Sequence, residues 1–308
     1  MIQHERISGF FLAARHKMII YLKLLLTAFF WGGTFIAGRM VVVNAGPFSA
    51  SFLRFGIASV FLGLFVWRNN GNLPRLTLKQ WVSVTCLGIT GVFAYNVFFF
   101  KGLELIEAGR AAVIIATTPV MIGLLSALLF KERLTGLNGI GILLSISGAI
   151  IVISRGRLSI IWQGGLGSGE LFIFGCVCSW VVFSLIGKTV MKNLSPLVAI
   201  FYASFIGTVA LLLPALMEGL LSQVPGYLIA DWWSLFYLGF FGTVIGFVWY
   251  YQGIQAIGPT RAGLFINFVP ISAVLLAFLI LNEPLTASLL TGTLFVCTGT
   301  YLTNRPAS

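Results

Sequence analysis

Ten continuous apolar stretches, each long enough to cross a bilayer, divide the 308-residue chain. A transmembrane helix needs about 20 consecutive apolar residues. The spans read as Ile19–Gly38, Phe48–Trp67, Trp81–Phe100, Ala111–Phe130, Leu134–Ile153, Leu171–Gly187, Pro196–Met217, Trp232–Tyr251, Ala262–Leu281 and Leu285–Leu302. Within them apolar and polar residues do not alternate, which excludes a membrane β-barrel. Only 9% of the residues are charged, against roughly 25% in soluble domains, so a soluble enzyme is excluded. The chain is rich in glycine, with 35, and small residues let helices approach closely where lipid supplies no hydrophobic drive. The expectation is an all-α membrane protein of ten transmembrane helices.

The net charge of +11 would suggest nucleic acid in a soluble chain. Here the basic residues lie in the connections, where they set orientation, so no nucleic-acid partner is expected. Thirteen of the 19 Lys and Arg fall on one side, among them Arg68, Arg75, Lys79, Lys131, Arg133, Lys188 and Lys192. Arg39, Lys101, Arg110, Arg155 and Arg157 fall on the other. Positive residues stay cytoplasmic, which puts both termini there. Residues 1–18 read as a cytoplasmic N-terminal segment before an uncleaved first span. A start at Met18 is an alternative reading. Cys86, Cys176, Cys178 and Cys297 all sit in apolar runs without zinc or redox spacing, so no metal and no cofactor are expected.

An internal repeat organises the chain. Sliding Gly102 onto Gly253 also lays Arg110 on Arg261, Pro119 on Pro270, Glu132 on Glu283, Gly141 on Gly292 and Gly148 on Gly299. Earlier in the chain Trp31 falls on Trp180, Gly38 on Gly187 and Pro47 on Pro196. The repeats cover residues 19–154 and 168–304, five spans each. An odd number of spans makes the second copy enter the membrane the opposite way, which gives two inverted five-helix repeats. That architecture places a substrate site near the midplane, between the halves.

Several motifs resemble the ten-span EamA branch of the drug/metabolite transporter superfamily. They are Trp31-Gly32-Gly33-Thr34, Phe52-Leu53-Arg54-Phe55, Gly109-Arg110-Ala111-Ala112 with Lys131-Glu132-Arg133-Leu134, and Pro259-Thr260-Arg261-Ala262 with Glu283-Pro284-Leu285. The resemblance covers about residues 19–304. It implies a bacterial inner-membrane transporter that exports amino acids or related small metabolites by alternating access. Import of a small metabolite or vitamin on the same fold is the alternative. A membrane-embedded enzyme is a remote third reading, because the sequence has no His-Glu-x-x-His, no Gly-x-Ser-x-Gly, no P-loop and no mid-span Asp or Glu.

Arg54 is the clear charge inside a span. Such residues are costly and usually face the protein interior. It either attracts a substrate carboxylate or has a structural role, snorkelling or pairing with Glu104 or Glu107. Buried amides at Asn96 and Asn267 need partners. Together with Trp31, Thr34, Tyr95, Ser179, Trp180, Trp249 and Tyr250 they form the candidate substrate site, amides reading a headgroup and rings an apolar or cationic part. Pro119 and Pro270 read as mid-span kinks or hinges. Glu132 and Glu283, each at a span start, read as structural caps. The expected partners are a small-molecule substrate and the lipid bilayer.

Overall fold

The computed structural model describes residues 2–130, 135–157, 159, 167–190, 193–257 and 259–303, and every described element in it is helical. Helices follow from the solvent, because hydrocarbon offers no partner to a backbone N–H or C=O and each must be satisfied within its own segment. The helices are α1 (Ile2–Val41), α2 (Pro47–Asn70), α3 (Leu78–Leu87), α4 (Tyr95–Leu105), α5 (Ala108–Ile115), α6 (Thr118–Phe130) and α7 (Gly136–Ile153). The second half continues with α8 (Ser168–Val190), α9 (Pro196–Met217), α10 (Ile229–Phe236), α11 (Gly246–Ile257), α12 (Pro259–Leu264), α13 (Phe268–Leu281) and α14 (Ala287–Thr303).

Nine described segments are long and apolar enough to cross a membrane, one fewer than the sequence suggests. The tenth stretch, α14, has 17 described residues, about 26 Å at 1.5 Å per residue, a little short of a hydrocarbon core about 30 Å thick. Residues 2–18 are not a separate coil. They continue directly into the first span as one helix of 40 residues, since no proline interrupts the sequence before Pro47.

Two kinds of irregularity recur at matched places in the two halves. A π-helical segment, Gly88–Ala94, joins α3 to α4, and a second, Tyr237–Ile245, joins α10 to α11. The repeat lays Gly88 on Gly239 and Gly91 on Gly242. The fourth and ninth spans change helix type along their length, through a turn at Ala116–Thr117 and a 3-10 turn at Phe265–Asn267. Pro119 and Pro270 each stand just after such a turn, within three residues of the start of the following α-helical segment, where the regular ladder is already interrupted. Around Pro119 the freed carbonyls are taken up by hydroxyls: Thr117 Oγ1 donates to Ile114 O at 2.7 Å and Thr118 Oγ1 to Ile115 O at 2.5 Å. Pro214, which the sequence analysis did not single out, lies inside α9.

The contacts between elements map onto one another when the two sequence halves are exchanged. α1 packs on α11, and α8 packs on α4. α7 and α14 meet through glycines. A Cβ built on Gly141 would lie 2.6 Å from Gly299 O, and one on Gly148 would lie 2.7 Å from Gly292 O. Exchanging Gly141 with Gly292 and Gly148 with Gly299 reproduces the same pair of contacts. α2 packs on α9, where Ser59 and Thr208, equivalent in the repeat, share a hydrogen bond of 3.3 Å between their hydroxyls. Between α7 and α14, by contrast, no side chain larger than hydrogen fits, which explains the glycines there.

Candidate functional site

α2 opens on Pro47 at its first turn, a position that suits proline's fixed φ. Two turns further along, Arg54 points into the bundle and is only 8% exposed. An arginine at the centre of a membrane helix costs about 2.5–3.5 kcal/mol on insertion scales, so its surroundings matter. Nη1 donates to Asn96 Oδ1 at 2.8 Å, and Nη2 reaches Thr243 Oγ1 at 3.5 Å. Nε is buried and has no partner. No carboxylate answers the charge: among the described residues the ion pair is Arg110–Glu170, 2.7 Å apart.

The two π-helical segments hold Arg54's partners in place. Asn96 Nδ2 donates back to Val92 O at 2.8 Å and Gly91 O at 3.4 Å. That fixes the amide so that its oxygen faces the guanidinium. Thr243 Oγ1 donates to Leu238 O, five residues earlier, at 3.0 Å, which turns its lone pairs toward Arg54. A widened π turn leaves carbonyls available for such back-bonds, and π turns recur at functional positions in helices. Asn96 is 1% exposed and Thr243 0%.

From Arg54 a closed circuit of side chains runs through five spans. Its guanidinium lies 6.0 Å from the Phe99 ring. Phe99 stacks on Tyr95 at 6.0 Å, Tyr95 meets Trp180 at 5.2 Å, and Trp180 meets Phe247 at 6.2 Å. Phe247 meets Trp31 at 5.7 Å, and Trp31 also meets Tyr250 at 5.3 Å. Trp31 Nε1 donates to Gly242 O at 2.9 Å, and Gly242 adjoins both Thr34 and the Nη2 of Arg54. A Cβ at Gly242 would lie 2.6 Å from Thr34 Cγ2, so the close approach needs glycine. Trp31, Tyr95, Trp180, Phe247 and Tyr250 are half-buried.

Not every expected residue joins this circuit. Ser179 is half-buried beside Trp180. Trp249 faces away, against Phe30 at 5.9 Å and under Lys23. Asn267 lies in the 3-10 turn between α12 and α13, where its carbonyl accepts from Cys297 Sγ at 3.5 Å, and it is not among the groups around Arg54. Asn96 and Asn267 are thus not a matched pair of headgroup readers. Phe99, Gly242, Thr243 and Phe247 were missed. Thr243 was the detectable one, the one aliphatic hydroxyl in the apolar run Tyr237–Tyr251.

The carboxylates gather at one end of the bundle, the end that the charge bias predicts to face outward. Glu283 does not cap its own helix. It accepts from Ala108 N at 2.7 Å and Gly109 N at 2.9 Å, capping α5 from the other half. Glu132 lies outside the described residues; among those described, Thr135 with Asn138 caps α7. Glu218 accepts from Ser49 N at 2.7 Å and Ser49 Oγ at 2.8 Å at the start of α2. Asp231 accepts from Asn44 Nδ2 at 3.0 Å. Each link joins a carboxylate of the second half to the first half, at a helix N-terminus or amide donor that favours negative charge. An open cleft of about 470 Å³ lies here, lined by Arg39, Asn44, Glu107, Asp231 and Glu283 among others. It does not reach Arg54. Since Asp231 and Glu283 are engaged as interhelical acceptors, the cleft is a mouth at this end, and the unanswered charge of Arg54 makes the inner circuit the better binding candidate.

The profile of the EamA-like transporter family matches residues 18–154 and again residues 167–305. The uncharacterized transporter YyaM of Bacillus subtilis (strain 168) is 31% identical over 263 residues, 84% of this chain and 85% of that protein. The probable terminal-alkyne amino-acid exporter of Streptantibioticus cattleyicolor is 28% identical over 285 residues, 92% of each chain. A solved crystal structure superposes with a TM-score of 0.64 at 20% identity, over 92% of this chain and 97% of the other, a likeness of fold.

Proposed function

Because the chain belongs to the EamA-like transporter family, and so is a multi-pass membrane transporter, we propose that it exports amino acids or related small metabolites. Transport runs by alternating access between two inverted five-helix halves, ten spans in all with α14 as the tenth. The observation that carries the reading is Arg54: a buried guanidinium with one nitrogen unpartnered and no carboxylate beside it, set in a circuit of half-buried rings built from both halves. A substrate carboxylate supplies the missing charge, and the rings take its apolar part. Efflux is favoured by the resemblance of the chain to a protein described as a probable amino-acid exporter. The matched π-helical segments and the self-mapping glycine contacts of α7 and α14 support the two-halves reading.

The circuit contains no carboxylate or histidine to carry a proton, so the proposal is facilitated efflux without strict proton coupling. Purified protein in liposomes should carry its substrate down a gradient with no pH difference imposed. Accumulation against the gradient, driven by an imposed pH difference, would show coupling and sink this mechanism. Orientation has its own test. In a background without the four native cysteines, single cysteines at Asn70 and Ser222, both exposed, should react with a membrane-impermeant thiol reagent from opposite sides, Asn70 from the cytoplasm. Labelling of both from one side contradicts the ten-span topology.

A further inference from the structure

We infer that the ligand held at Arg54 is a carboxylate monoanion with a ring-sized apolar tail and no free ammonium group. The inference rests on the reading of the Arg54 circuit as the substrate site, and within the proposed export of amino acids or related small metabolites it selects the related carboxylates over free amino acids. The first ground is which edge of the guanidinium is free. Nη1 is committed to Asn96 at 2.8 Å, whereas Nη2 has only the 3.5 Å contact to Thr243 and Nε has none. Nε–H and Nη2–H lie side by side on one edge of the planar group. That edge takes a carboxylate through two parallel hydrogen bonds.

The second ground is what the site lacks for a cation. A zwitterion would bring an ammonium with three donors, but the circuit offers it only neutral acceptors and no anion. Asn96 Oδ1 already accepts from Arg54, and the hydroxyls of Thr34 and Thr243, which donate to backbone carbonyls at 2.6 and 3.0 Å, offer uncharged lone pairs alone. The carboxylate that docks on α2 is Glu218, and it caps Ser49, five residues or roughly 7 Å up the helix axis from Arg54. Its oxygens are already engaged by Ser49 and Phe48. With one positive charge and no negative one, the circuit becomes neutral when a monoanion binds and stays positive when a zwitterion binds. An ammonium buried without a counter-charge is strongly disfavoured.

The test compares three compounds on one skeleton, with the purified full-length protein, by ligand-induced quenching of tryptophan fluorescence. They are 3-phenylpropionate, phenylalanine, which adds an ammonium, and phenethylamine, which lacks the carboxylate. 3-Phenylpropionate should bind at least about tenfold more tightly than phenylalanine, and phenethylamine should not bind. Arg54→Gln should remove binding of the acid. Asn96→Asp, nearly isosteric, should also remove it by giving Arg54 an internal counter-anion, which covers the case in which Arg54→Gln does not fold. If phenylalanine binds as tightly as the deaminated acid and both Arg54→Gln and Asn96→Asp still lose binding, the site stands and the ligand class is wrong. If the acid binds all three proteins equally, the ligand sits elsewhere and the reading of the site fails with it. Binding of phenethylamine, or no response to any of the three, overturns the proposal.

Discussion

Arg54→Ala is expected to cut transport by at least about 100-fold, because two charge-assisted hydrogen bonds of about 1.5–3 kcal/mol each are lost to the ligand. The substitution also leaves Asn96 Oδ1 without its donor and Thr243 Oγ1 without its long contact. Some loss of folded protein should accompany the loss of activity, since an unpaired buried acceptor costs about 1–3 kcal/mol. Arg54→Lys separates the two effects. It keeps the charge but not the side-on pair of donors, so folded protein should be retained while transport recovers only in part. Size-exclusion profiles of the detergent-solubilised variants report folding, and liposome flux reports transport. An Arg54→Ala protein that accumulates and transports like the parent would reduce Arg54 to a side chain without a ligand.

Gly148→Leu is expected to abolish accumulation of folded protein. A Cβ there would meet Gly292 O at 2.7 Å and Val296 N at 2.8 Å. Both are backbone atoms of α14 and cannot turn aside, unlike the tip of a side chain. Overpacking costs typically about 1–3 kcal/mol where neighbours can shift, and here a whole helix must move. Gly148→Ala should already lower the melting temperature. Gly139→Ala is the control on the same helix, since no other group lies within 4 Å of its Cβ position, and alanine is the better helix former by about 1 kcal/mol. If Gly148→Leu melts like the parent, α7 and α14 do not pack at this distance.

The physical reason that much of the fold was readable in advance is the strictness of the lipid environment. Spans of the right length, their all-helical character and their order follow from hydropathy, because hydrocarbon tolerates no unsatisfied backbone. The repeat was readable through residues whose role is local and steric: Gly141, Gly148, Gly292 and Gly299 stand at backbone contacts, and Pro119 and Pro270 follow a turn within their spans. Arg54 stood out for the cost of its charge in a span. The turn at Ala116–Thr117 and the 3-10 turn at Phe265–Asn267 were not readable, because a proline in a span marks only where a helix loses a donor, and neighbouring hydroxyls and helices decide how the local turn adjusts.

Composition and periodicity depend on each residue's own transfer energy, so the number of apolar stretches and the presence of an interior charge were settled by the chain alone. Which groups meet across spans was not. Only the folded bundle turns Asn96 away from a ligand and toward Arg54, because the π turn at Gly88–Ala94 exposes the carbonyls that hold its amide. Only the bundle brings Thr243 and Phe247 to the same guanidinium and ring circuit while sending Trp249 toward Lys23 and leaving Asn267 near Cys297. Glu283 shows the same limit. From sequence it is a carboxylate at the start of its own helix, yet it caps a helix 175 residues earlier in the chain. Such pairings depend on helix rotation and register, set by the glycine contacts between the halves, and no single span carries that information.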